Sequence, residues 1–122
     1  MDYALIGLDH VQLAMPAGAE ERAEAVYCGL LGLERRVKPE PLAARGGCWF
    51  ANGDVVLHLG VEADFRPARK AHPALLVAGL AALSARLAAA GLEVRPDTEL
   101  AGVTRCYVDD PFGNRIELIA AD

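Results

Sequence analysis

A chain of 122 residues is one domain's worth of sequence, long enough to bury a core without disulfides or a structural metal. Its formal net charge of −5 argues against a nucleic-acid surface, which needs clustered cations. No charge-free run of about 18 apolar residues occurs, so no membrane helix is expected.

The three cysteines, Cys28, Cys48 and Cys106, are widely spaced and form no CxxC pair. That excludes a zinc finger and fits small buried hydrophobes in a reducing compartment. The N-terminus carries an early Asp2 and no basic stretch, so no signal peptide is expected and the cytoplasm is the expected location.

Residues 5–15 alternate, with Leu5, Gly7, Asp9, Val11, Leu13 and Met15 on one face and Leu8, His10, Gln12 and Ala14 on the other. A period of two predicts a strand, ended by Pro16 and Gly18. Residues 20–31 repeat apolar positions at three- and four-residue steps behind Glu20, Glu21 and Glu24, which predicts a helix stopped by Gly32. Three strands are expected at 33–37, 47–51 and 54–61, the last two joined by an Asn52-Gly53 hairpin turn. A polar connector follows over residues 63–71.

The pattern then restarts. A strand is expected at 72–78, a helix at 80–90 stopped by Gly91, and strands at 92–95, 103–109 and 115–120, the last pair joined through Asp110-Pro111-Phe112-Gly113-Asn114. Each half reads strand, helix, strand, strand, strand. The expectation is an α+β fold in a single domain over residues 1–122. It comprises two βαβββ modules, about 1–62 and 72–122, sharing their burial.

All three histidines and one carboxylate fall at related positions in these halves. His10 lies in the first strand of one and His72 opens the first strand of the other; His58 and Glu117 sit in the last strands. Leu57 and Leu59 flank His58 on the opposite face, as Ile116 and Leu118 flank Glu117. Two imidazoles and a carboxylate suit one divalent ion such as Fe, Mn, Zn, Ni or Co and leave coordination positions open for a substrate. From the pattern alone, separately hydrogen-bonded or solvated strand residues fit as well.

Three segments carry a resemblance. Gly7-Leu8-Asp9-His10-Val11, the run from Val26 to Leu33, and Asp110-Pro111-Phe112-Gly113-Asn114-Arg115-Ile116-Glu117-Leu118 resemble the vicinal oxygen chelate superfamily. That group includes glyoxalase I, extradiol dioxygenases, methylmalonyl-CoA epimerase, fosfomycin-modifying enzymes and bleomycin-resistance proteins. The resemblance implies a cupped mixed sheet around a central cavity, and a homodimer. It also implies metal ligands at His10, His72 and Glu117, with His58 near the fourth ligand position. Glyoxalase I enzymes place a carboxylate there, so His58 puts that activity in doubt. His58 is then either a ligand or a general base, with Tyr107 the alternative base.

Gln12 shares His10's face, and Trp49 belongs to a strand of the same half. Arg105 shares a face with Tyr107, and Arg115 with Glu117; all four are candidate substrate-binding residues. The sequence predicts a metal-dependent enzyme (lyase, isomerase, transferase or dioxygenase chemistry) acting on a small oxygen-rich molecule. The competing reading is a non-catalytic, bleomycin-resistance-like protein that binds a small molecule or antibiotic.

Overall fold

The computed structural model describes residues 2–121. The chain runs β1 (Val11–Met15), α1 (Glu20–Tyr27), β2 (Glu34–Arg36), a 3-10 turn (Leu42–Arg45), β3 (Cys48–Asn52) and β4 (Val55–Val61). It continues as β5 (Ala74–Val77), α2 (Leu80–Ala89), β6 (Arg95–Asp97), β7 (Arg105–Asp109) and β8 (Arg115–Ala120). Two four-stranded sheets result, ordered β1-β4-β3-β2 and β5-β8-β7-β6. In each, the first strand lies parallel to the last and the other pairs are antiparallel. This is the expected pair of βαβββ modules, with the two sheets not joined within one chain.

Alternation assigns the faces. Met15, Cys48, Phe50, Leu57 and Leu59 point to the helix side of the first sheet, and Cys106, Val108, Ile116 and Leu118 to that of the second; all are buried. α1 contributes Ala23 and Tyr27, whose ring stacks on Phe50 at 5.3 Å, and α2 contributes Leu80 and Leu87. Dense apolar packing on these faces supplies most of the folding free energy. It leaves the opposite faces free to carry polar side chains.

The modules are joined through a buried polar network at the turn between β7 and β8. Asp110 Oδ1 accepts the N–H groups of Phe112 and Asn114, and Oδ2 accepts the Tyr27 hydroxyl at 2.8 Å and Asn114 Nδ2 at 2.9 Å. Asn114 Nδ2 also donates to the Ala14 carbonyl in β1 at 2.8 Å. Arg22 reaches the Pro111 carbonyl and Arg86 the Gly29 carbonyl. The Asp-Pro-Phe-Gly-Asn segment therefore fastens the second module to α1 and β1 of the first.

Several boundaries differ from expectation. The first strand begins at Val11 rather than residue 5, because the ladder with β4 starts at Val11↔Leu57. Alternation marks faces, whereas a strand also needs a partner. Residues 2–10 project, with Leu5 99% and Ile6 98% exposed. α1 ends at Tyr27, not 31, and wider bonds from Gly29 to Glu24 and Leu31 to Val26 carry the chain to Gly32 at φ 78°. The hairpin turn is centred on Gly53-Asp54, one residue later than expected, with Asn52 and Val55 paired and Gly53 at φ 57°. β5 starts two residues after His72, and the strand expected at 92–95 forms at Arg95–Asp97, where Arg95 and Asp97 find partners in Tyr107 and Arg105.

Candidate functional site

The register turns the repeat into a residue-by-residue correspondence. Gln12 pairs with His58 across β1 and β4, as Ala74 pairs with Glu117 across β5 and β8. His10 and His72 each lie two residues before those partners. Trp49 pairs with His58, as Tyr107 pairs with Glu117; Arg36 pairs with Trp49, as Arg95 pairs with Tyr107. So the open face of one sheet carries His10, Gln12, His58, Trp49 and Arg36, and that of the other carries His72, Glu117, Tyr107 and Arg95.

In the second module the donors are already poised. His72 Nε2 lies 3.0 Å from Glu117 Oε1, and His72 Nδ1 lies 2.7 Å from the Lys70 carbonyl. The Glu117 contact brings an imidazole nitrogen and a carboxylate oxygen side by side at hydrogen-bond distance. The Lys70 contact orients the ring so that Nε2 faces the carboxylate. Arg105 Nη1 binds Glu117 Oε2 at 3.2 Å while Nη2 reaches Asp97 at 3.3 Å. The His72 bond, then the Arg105 bond, hold the Glu117 carboxyl below its ordinary value despite burial, which acts the other way. Tyr107 stands edge-on to His72 at 5.5 Å, with the Arg105 and Arg115 guanidinium groups over its ring.

In the first module the rings stack. His10 lies on His58 with centroids 4.0 Å apart, and Trp49 lies on the other side of His58 at 4.3 Å. His10 Nδ1 is held by Asp9 Oδ2 at 2.9 Å. Burial, then the neighbouring His10, lowers the His58 pKa, so His58 is neutral at pH 7 and its imidazole is free to accept a proton or a ligand bond. Gly60 leaves room for Gln12: a Cβ there would meet Gln12 Nε2 at 2.6 Å.

The four candidate donors thus come as two pairs on two sheets. Among the described residues, no three such donors within one chain stand close enough together to hold an ion. His10 and His72 both line a groove of about 860 Å³ between the free edges of β1 and β5, whose walls also include Leu8, Val11, Leu13 and Leu75. Gln12 lines that groove and also a second cavity containing Trp49 and His58. Arg105 is engaged by Glu117 and Asp97, and Arg115 by the Tyr107 ring, so both shape the polar face of the second sheet. Sequence reasoning missed Asp9, Asp97 and the cations Arg36, Lys38 and Arg45. The strand parity of Arg36 with Trp49 was the available signal for one of them.

The Glyoxalase/Bleomycin resistance protein/Dioxygenase superfamily matches residues 7–118. The chain belongs to this superfamily. A glyoxalase family protein of known structure from Bacillus anthracis is 46% identical over 100% of both chains, with a TM-score of 0.95. The fosfomycin resistance protein FosX from Listeria monocytogenes shares the fold at 15% identity, covering 98% of this chain and 96% of its own, with a TM-score of 0.76. Lactoylglutathione lyase from Agrobacterium tumefaciens does so at 21% identity, covering 99% and 96%, with a TM-score of 0.67. No curated protein matches the chain. Superfamily membership makes a small-molecule ligand the expected partner, and no helix of the described residues is long and apolar enough to cross a membrane.

Proposed function

We propose that this chain is a cytoplasmic, metal-dependent enzyme that works as a homodimer on a small oxygen-rich molecule. His10, His72 and Glu117 hold one divalent ion, and His58 is the base. The single observation that carries the reading is the shared register of His10/His58 and His72/Glu117 on two separate sheets. Each sheet supplies half of a donor set, and β1 and β5 each present an unpaired edge. A second copy placed against those edges brings His10 of one chain to the His72–Glu117 pair of the other. The projecting Leu5, Ile6 and Leu8 suit such a contact, because exposed apolar runs of this size mark interaction surfaces.

Bound by these donors, a divalent ion supplies Lewis acidity that polarises chelating substrate oxygens and stabilises developing negative charge. His58, neutral and beside His10, takes a proton from the carbon or water next to those oxygens. Arg105 keeps Glu117 ionised and oriented. Tyr107, edge-on to His72, is the alternative proton carrier.

One observation favours the second reading, a binding protein without turnover. The His10 and His58 rings stack instead of converging, and Arg105 already neutralises Glu117. Metal analysis of the purified protein separates the two. The enzyme reading predicts stoichiometric transition metal that His72→Ala and Glu117→Gln abolish. Metal-free protein whose ligand binding survives a chelator would overturn it.

A further inference from the structure

Beside the histidine pair, the open face of the first sheet forms a cavity of about 700 Å³, within the range of small-molecule sites. Its walls include Arg36 at the end of β2, Lys38 just beyond it, and Arg45 at the end of the 3-10 turn; its one acid is Asp9. The chain as a whole carries a net charge of −5, so this cavity reverses the sign of its surroundings. The carboxylates near Lys38 and Arg45 are otherwise engaged, and Arg36 already has its own acid. Asp9 binds His10, Glu34 binds Arg36, and Glu20 accepts the Gly47 N–H. Among the described residues neither Lys38 nor Arg45 has a carboxylate within ion-pair distance, and Lys38 Nζ rests on the Gly46 carbonyl.

We propose that this cavity binds the anionic end of the substrate, its carboxylate or phosphoryl oxygens, through Lys38 and Arg45, with Arg36, paired to Glu34, completing the wall. The inference rests on the metal-dependent reading above and names its substrate class: a bifunctional molecule with chelating oxygens at one end and an acid at the other. The strand order sets the spacing. His58, Trp49 and Arg36 are register neighbours on β4, β3 and β2. Two strand spacings place the acid about 10 Å from the histidine pair. The stacked His58 and Trp49 rings line the cavity between the two ends.

Trp49, the chain's only tryptophan, reports on this cavity. Its fluorescence is titrated with inorganic phosphate and, separately, with succinate, on the protein as purified and after chelator treatment, with metal content measured in parallel. A saturable response is expected, weakened about tenfold by Lys38→Met or Arg45→Gln, as for loss of one charge-assisted contact. Arg69→Gln, on the connector, is expected to leave it unchanged. The tighter probe distinguishes a phosphoryl from a carboxylate end. Two variants guard against misfolding of either, and far-UV circular dichroism checks both. A flat titration, equal weakening by Arg69→Gln, or binding that disappears with the metal while ignoring Lys38 and Arg45 would overturn the inference. Saturable, Lys38-dependent binding by protein that holds no metal would uphold it while refuting the metal reading.

Discussion

Tyr27→Phe removes one hydroxyl and keeps the ring on Phe50. In the native chain that hydroxyl donates to Asp110 Oδ2 at 2.8 Å, in a site where Tyr27 is 0% exposed and Asp110 5% exposed. Burial, reinforced by the Asp110 charge, drives the phenol pKa strongly upward, so the hydroxyl stays a donor at any accessible pH. A hydrogen bond to a buried charged group contributes about 1.5–3 kcal/mol, and Asp110 keeps three other donors, so the expected loss is about 2 kcal/mol. For a chain of this length the unfolding entropy near 60 °C is about 0.26 kcal/mol/K, which converts that loss to a fall in Tm of roughly 8 °C. Urea melts followed by circular dichroism give the free energy, with Tyr3→Phe as the control because Tyr3 is 74% exposed. Tyr3→Phe should change stability by less than about 0.5 kcal/mol. If Tyr27→Phe behaves like the control, or is additive with Asp110→Asn, the network does not fasten the modules together.

Acid should weaken the metal-free protein through Glu117. Its folded carboxyl lies below the ordinary value of 4.5, so the unfolded chain takes the proton more readily. The contribution is complete above that value and declines as pH falls through the folded one, and urea midpoints across this window should lose the slope in Glu117→Gln. Gly47→Ala places a Cβ 2.2 Å from the Leu59 carbonyl oxygen at φ 83°. It should cost about 3 kcal/mol or more, read by thermal melts. Iodoacetamide at pH 8 should modify Cys28 before the other thiols: Cys48 is buried with its pKa pushed up to about 11, and Cys106 is buried. Peptide mapping by mass spectrometry gives the order, and rapid labelling of Cys48 in folded protein would contradict its placement.

The modules and their faces were legible because alternation and helical spacing are local properties of the chain. Leu57 and Leu59 around His58, and Ile116 and Leu118 around Glu117, announced the buried side of β4 and β8. What stayed hidden depends on partners. Residues 5–10 alternate as well as 11–15, but only the latter meet β4. The stretch at 92–95 alternates Leu92 and Val94 with charged residues, yet the ladder with β7 takes Arg95–Asp97, because cross-strand pairing and not alternation sets that edge. The Asp110–Asn114 segment read as a turn and a family signature. That its side chains hold Tyr27 and Ala14, 83 and 100 residues away, follows only from the packing of one module on the other. The candidate donors were all identifiable from repeat phase, whereas their division into two pairs is a property of how the sheets are set apart.

That division makes the central claim testable by mixing two defective chains. His10→Ala and Glu117→Gln should each abolish metal binding in the homodimer. If the site forms between copies, a dimer with one chain of each kind regains one intact site, using His10 of one chain and the His72–Glu117 pair of the other. Co-expression with random pairing should then restore about one quarter of the wild-type metal content per chain. Metal at wild-type level in either single variant, or none in the co-expressed mixture once mixed dimers are shown by mass spectrometry, would contradict a divalent ion shared by His10, His72 and Glu117 across two copies.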